Sequence, residues 1–207
     1  MKQAPQSLPQ PPPKEGAFEI GGLSIRQAGF TDAAMLAALG RRTFEEAFAD
    51  QNTPENLAAY ISEAYTTEQF AKELRDENSV FYVARLNQTP VGYAKLRKNG
   101  IPENSLPAGE AGIFENTQTP RLAMPCMELQ RIYVLRENIG TGTGKRLMEQ
   151  CLQTARQHGC ATLWLGVWER NEKAIAFYGK WGFTVFGSHI FHVGNDPQTD
   201  LLMRLEL

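Results

Sequence analysis

Apolar residues along this chain switch between two rhythms, and the switches mark its elements. Leu23-Ser24-Ile25-Arg26 alternates apolar and polar at a period of two and predicts a strand. Met35, Leu36, Leu39, Phe44 and Phe48 then recur at helical spacing behind Thr31 or Asp32 as a capping residue, predicting a helix that ends near Phe48. Thr53-Pro54-Glu55 opens a second helix, a capping side chain followed by proline in the first turn, and Leu57, Tyr60 and Ile61 form its apolar face. Thr66 with Gln69 three residues on is a capping box for a third helix carrying Phe70 and Leu74. Val80–Ala84 and Val91–Leu96 read as a hairpin around Asn87-Gln88-Thr89-Pro90.

Residues 99–125 lose this periodicity to glycine, proline and polar side chains, and read as a long loop or insertion. A strand is predicted over 127–134. The following helix places Leu147, Met148, Cys151, Leu152 and Ala155 on one face and stops near Gly159, a glycine of the kind that closes helices. Leu163–Trp168 is a continuous apolar run, as in a strand covered on both faces. Asn171 caps a helix with Ala174, Phe177, Tyr178 and Trp181 at its apolar positions, and Phe183–His192 and Leu201–Leu205 are closing strands around a turn at Gly194-Asn195-Asp196-Pro197. The order of elements predicts an α/β chain with a mixed sheet.

Composition narrows the class. A chain of 207 residues suits one domain, over 17–207, behind a proline-rich polar tail at 1–16 that cannot build a core and is expected to be disordered. Pro9 and Pro12 make a P-x-x-P spacing there, which a solvated polyproline tail explains. A formal net charge of -2 with no basic arm argues against nucleic acid and against an anionic membrane surface. No apolar run reaches membrane-spanning length and the N-terminus lacks the apolar core of a signal peptide, so a cytoplasmic protein is expected. Cys126, Cys151 and Cys160 have no C-x-x-C spacing, and His189 and His192 fall on opposite faces of a predicted strand, so no metal site is expected.

The chemistry concentrates in Ile139-Gly140-Thr141-Gly142-Thr143-Gly144-Lys145, between a predicted strand and a predicted helix. Glycines let a ligand approach the main chain, and the helix start adds unpaired N–H groups and the positive end of its dipole. That combination cradles an anion, usually a phosphate. A nucleotide P-loop fails: its first glycine would fall on Ile139, and Arg146 stands where the magnesium-binding hydroxyl belongs. The dinucleotide fingerprint fails too, its third glycine falling on Lys145 or Leu147.

The strings ELQRIYV, IGTGTGKRL and WLGVWERNEKAIAFYGKWGF occur in that order, and together they resemble the GNAT N-acetyltransferases, which acetylate amines with acetyl-coenzyme A. TFEEAFADQNTPENLAAY, the same WLGVWERNEKAIAFY and QTDLLM look like the PaiA-type polyamine acetyltransferases, over roughly residues 25 to 205. The resemblance implies a mostly antiparallel sheet of about seven strands with a splayed parallel pair and helices on both faces. It implies acetyl-coenzyme A as cosubstrate, held by main chain at Ile132, Tyr133 and Val134 and by Ile139, Gly140, Thr141, Gly142, Thr143, Gly144 and Lys145, with Asn171 as a further contact. Ile139 departs from the Gln or Arg usual at the start of that loop. An N–H near Ile132 would polarise the thioester carbonyl. Tyr178 matches the family's general-acid tyrosine, though its spacing also suits a core aromatic. An amine near lysine's pKa of about 10.4 must lose a proton. Glu128 is the first candidate base and Glu169 the second, each equally readable as a salt-bridged or surface carboxylate. Phe44, Glu45 and Phe48, with Glu46 and Asp50 nearby, would line the acceptor groove. The expected partner is a small amine such as spermidine or spermine, on a monomer or homodimer; a peptide amine, or coenzyme binding without turnover, is the alternative.

Overall fold

The computed structural model describes residues 22–98, 122–193 and 196–207, with the backbone alone at 191–193. The expected tail at 1–16, most of the 99–125 insertion and the Gly194-Asn195 turn lie outside the described residues. The elements run β1 (Leu23–Gln27), α1 (Ala33–Phe48), α2 (Pro54–Ala64), α3 (Thr67–Arg75), β2 (Ser79–Leu86), β3 (Thr89–Lys98), β4 (Cys126–Val134), α4 (Thr143–Gln157), β5 (Thr162–Trp168), α5 (Glu172–Lys180), β6 (Thr184–Val193) and β7 (Asp196–Glu206). The strands form one seven-stranded sheet in the order β1-β2-β3-β4-β5-β7-β6. Every neighbouring pair is antiparallel except β4 and β5.

Local chemistry explains most boundaries. Thr53 Oγ1 accepts the Asn56 N–H at 3.3 Å with Pro54 opening the helix, and Thr66 Oγ1 accepts the Gln69 N–H at 3.0 Å. The capping box at Thr66 is half made: the Gln69 side chain turns forward to Glu73 at 2.8 Å instead of back to its cap. At α1 the expected cap differs too. Asp32 closes a short 3-10 turn, and its carboxylate takes the Gly29 N–H at 2.8 Å and both ends of the Arg26 guanidinium. Asn87 and Gln88 alone turn the β2–β3 hairpin, both at positive φ, so Thr89 and Pro90 already belong to β3. Gly159 (φ 67°) ends α4 in a Schellman arrangement, with Gly159 N–H bonded to Arg156 O and Cys160 N–H to Ala155 O.

Two layers of helix sandwich the sheet. Successive residues of a strand point to opposite faces. Phe81 meets Phe70 of α3, while the next residue, Tyr82, reaches Thr154 of α4 at 2.8 Å. The α1–α3 group and α4 therefore cover opposite faces. The core under α4 is aliphatic, with Leu147, Met148, Cys151 and Ala155 wholly buried. The other face is aromatic, built from Phe44, Tyr65, Phe70, Phe81 and Tyr93.

Candidate active site

The one parallel pair is also a fork. β4 and β5 are in register only at Cys126–Thr162, Met127–Leu163 and Glu128–Trp164, yet β4 continues to Val134 and β5 to Trp168. A bulge at Gln130 breaks the β3–β4 register just past the last shared rung. Bulges bend and twist a strand, which turns β4 away from β5. Leu135 N–H donates to Val91 O on the β3 side at 2.9 Å. Main-chain groups alternate in direction along a strand, so the N–H groups of Ile132 and Val134 face the opening. Tyr133, between them, points its ring into the aromatic layer against Tyr93 and Phe44.

The glycine loop closes the wide end of the fork. Gly140 and Gly142 both hold positive φ, 87° and 92°, and Gly142 caps α4. A Cβ on either would meet no protein atom within 4 Å, so the loop presents bare main chain to open space. Among the described residues, the N–H groups of Gly140, Gly142, Thr143, Gly144 and Lys145 find no acceptor. Thr141 and Thr143 bond to each other at 2.9 Å, and Thr141 also donates to Asn138 O, which fixes the curve of the loop. The first turn of α4 carries no acidic side chain to cancel its dipole. Lys145 points outward to Glu149 at 3.8 Å, and Ile139 is 69% exposed at the loop's entrance.

α5 stands beside this loop. Its Phe177 lies 3.9 Å from where a Gly144 Cβ would sit, and Asn171 caps it by accepting the Ala174 N–H at 3.1 Å. Tyr178 is buried between Phe177 and Phe183, in the field of Cys151 and Tyr133. Burial pushes its hydroxyl well above the usual phenol range, so it keeps its proton at neutral pH. At the other end, Glu128 is buried and lies 2.7 Å from Arg97 across the β3–β4 pair. Burial raises its pKa, and the Arg97 and Lys95 charges pull the other way without reversing it. Glu169 is exposed beyond the end of β5, tied to β7 only by its main chain.

On the aromatic face Gly166 is exposed in an otherwise buried β5, which leaves a recess beside Asp200 and His189 of the β6–β7 hairpin, with Phe48 of α1 and Tyr60 of α2 nearby. Phe48 stacks near Phe44, Tyr133 and Trp168, and Phe44 meets Tyr60 at 4.9 Å between centroids. Gln198 of β7 donates to Asn52 Oδ1 at 2.8 Å and so holds the hairpin against the α1–α2 connection. Glu45 is exposed on the outer side of α1. Glu46 accepts from Arg42 and from the Arg136 main chain, and Asp50 lies 3.8 Å from Arg136, so both acids tie α1 to the segment before the glycine loop.

A forked parallel pair backed by a bare main-chain loop is matched at family level. The acetyltransferase (GNAT) family model covers residues 42–183, more than half of the chain. The chain belongs to the GNAT acetyltransferase family. An uncharacterized N-acetyltransferase in the pepI 3′ region of Lactobacillus delbrueckii subsp. lactis is 30% identical over 186 residues, covering 90% of this chain and 98% of that protein. The PaiA N-acetyltransferase of Thermoplasma acidophilum, solved with coenzyme A, superposes with a TM-score of 0.66 at 21% identity, over 89% of this chain and 99% of its own. A ribosomal-protein-alanine N-acetyltransferase of Brucella melitensis does so at 0.57 and 21%, over 88% and 99%. At these identities the two structures speak for the fold.

GNAT enzymes use acetyl-coenzyme A, and this GNAT chain fits it. Five undonated N–H groups on an exposed loop with open space over two glycines suit a diphosphate. Among the described residues no cluster of His, Cys, Asp and Glu is arranged to hold a metal, and no helix is long and apolar enough to cross a membrane. Sequence reasoning did not bring His189, Asp200 and Gly166 together as parts of one site. One signal was available: Gly166 interrupts the apolar run of β5, and a glycine inside a strand marks close approach by something else.

Proposed function

We propose that this GNAT enzyme transfers the acetyl group of acetyl-coenzyme A to the primary amine of a small molecule, with a polyamine such as spermidine or spermine as the leading acceptor. Bound acetyl-coenzyme A supplies an acyl group activated as a thioester. The observation that carries the reading is the fork, whose rungs stop at Glu128 and whose wide end is a loop of undonated N–H groups. Gly140 to Lys145, with Ile139 at their entrance, hold the diphosphate, and Asn171 contacts the coenzyme from the start of α5. Ile132 to Val134 bind its arm by main chain, the Ile132 N–H polarising the carbonyl that is attacked.

Transfer forms a C–N bond and breaks a C–S bond, so the nitrogen loses protons and the sulfur gains one. Tyr178 supplies the sulfur's proton, a role its burial suits because the hydroxyl stays protonated. Glu128 draws protons from the acceptor side, through water, its raised pKa making it a stronger base than an ordinary carboxylate. Phe48 borders the acceptor recess with the buried Phe44 behind it, and an aromatic face there favours a cationic head. Glu45, exposed on α1, is the carboxylate assigned to a second charge of a long polyamine.

The preference for a narrow alkyl chain is supported by the aromatic contacts of Phe48 and by the Gln198–Asn52 hydrogen bond, which ties the hairpin to the α1–α2 connection. The test is a thiol-release assay with acetyl-coenzyme A against spermidine, spermine, diamines and peptides. Turnover on the polyamines is expected. Turnover on peptides alone would replace the acceptor class, and tight coenzyme binding without turnover on any amine would make the protein a coenzyme-binding regulator.

A further inference from the structure

β5 is buried along its length except at Gly166. A side chain there would stand in the recess, and its Cβ would lie 3.4 Å from Asp200 Oδ2 and 3.6 Å from His189 Nε2. These two atoms face each other at 3.7 Å across the β6–β7 pair, too far for a hydrogen bond. Both side chains are largely shielded, at 24% and 17% exposure, yet among the described residues neither receives nor makes a hydrogen bond. A shielded carboxylate without a donor is costly unless a ligand supplies one. The space left by the missing Gly166 side chain is where that ligand would sit.

We propose that Asp200 and His189 form the seat of the acceptor's ammonium group, above Gly166. The proposal rests on the acetyltransferase reading above and assigns its amine site. Asp200 Oδ2 accepts one N–H of the ammonium and His189 Nε2 accepts another, while Trp168 and Phe48 flank the alkyl chain. The charged and titratable groups facing the pair are Glu128 of β4 with its partner Arg97 of β3, and Tyr60 of α2. Glu128 and Arg97 offset each other, which leaves Asp200 as the unbalanced charge beside the seat.

The experiment is a titration of the full-length protein with spermidine and with butylamine, followed by the His189 imidazole signals in NMR and by calorimetry. Steady-state kinetics on the same variants runs beside it. Asp200→Asn and Gly166→Ala keep the shape of the hairpin, since a Cβ at 3.4 Å makes ordinary contact with its neighbours. Each variant is expected to raise the amine Kd and KM by about tenfold or more, the loss of one charge-assisted hydrogen bond, with coenzyme affinity and thermal midpoint unchanged. In the wild type the His189 signals shift on adding either amine. Wild-type amine affinity in both Asp200→Asn and Gly166→Ala would overturn the seat while leaving the acetyltransferase intact. Absence of amine binding by the wild type would overturn it as well. Amine binding that the variants lose, on a protein without turnover, would support the seat and overturn the acetyltransferase reading.

Discussion

At the scale of single residues, the decisive contrast is between Tyr178 and Glu128, two buried ionisable groups on which burial acts in the same direction. It keeps the phenol protonated, which a proton donor needs, and it lifts the carboxyl, which strengthens a proton acceptor. Tyr178→Phe removes only the donor and leaves the ring between Phe177 and Phe183. We expect kcat to fall by about 100-fold or more, with the coenzyme Kd unchanged in calorimetry. A variant with wild-type kcat would make Tyr178 a core aromatic, which its spacing on α5 alone would suggest. Sequence could not separate these two roles because both put an aromatic on the buried face of α5. His189 and Asp200 lay beyond sequence for a different reason, since only the β6–β7 register makes them neighbours.

Among the elements, those with local causes were legible. Thr53-Pro54, Thr66, Gly159 and the glycine loop all act through residues within a few positions of themselves, and the helices and loop appear where those residues placed them. The bulge at Gln130 was not legible, because it depends on which β3 residue opposes which β4 residue. Nor was the full length of β7, whose outer half, Asp196 to Asp200, is polar and carries no apolar alternation. The glycine loop also yields a prediction of its own scale. Gly142 holds φ 92° and faces open space, so a side chain there collides with no protein atom. Gly142→Val therefore acts by straining the backbone, at about 1–3 kcal/mol for a non-glycine residue at such a φ, and by filling the space a diphosphate needs. Coenzyme affinity is expected to fall by about tenfold or more, equivalent to about 1.4 kcal/mol, while the folded protein keeps its circular dichroism spectrum. Wild-type affinity in this variant would move the diphosphate elsewhere.

Across the whole molecule, one buried ion cluster ties the helical layer to the sheet. Glu73 of α3 meets Lys95 of β3 at 2.9 Å and Arg131 of β4 at 2.8 Å, and all three side chains are at most 13% exposed. Arg131 reaches this face because the Gln130 bulge sets its register against Lys95. The cluster thus depends on the same irregularity that opens the fork, so its integrity reports on the site's scaffold. Burial pushes the Glu73 carboxyl up, but Arg131 and Lys95 pull it down further, and its pKa ends below the usual 4.5. The cluster sets two cations against one carboxylate, and burial together with the nearby Arg131 lowers Lys95, so Glu73 carries the stabilising titration. The sign follows. With the folded pKa below the unfolded one, the unfolded chain binds more protons between them, so this contribution is complete above about pH 4.5 and is lost as pH falls through the folded value. Glu73→Gln leaves Lys95 and Arg131 buried without their counter-ion, a loss of about 3–5 kcal/mol, or roughly 6–20 °C in Tm for a domain of this size. Calorimetric scans from neutral pH down to acid should find the variant less stable at neutrality and its acid slope shallower than the wild type's. A variant melting with the wild type at neutral pH, along a parallel acid slope, would show that α3 is held by its aromatic contacts with Tyr65, Phe81 and Tyr93 alone, and that the ions merely fill the space between them.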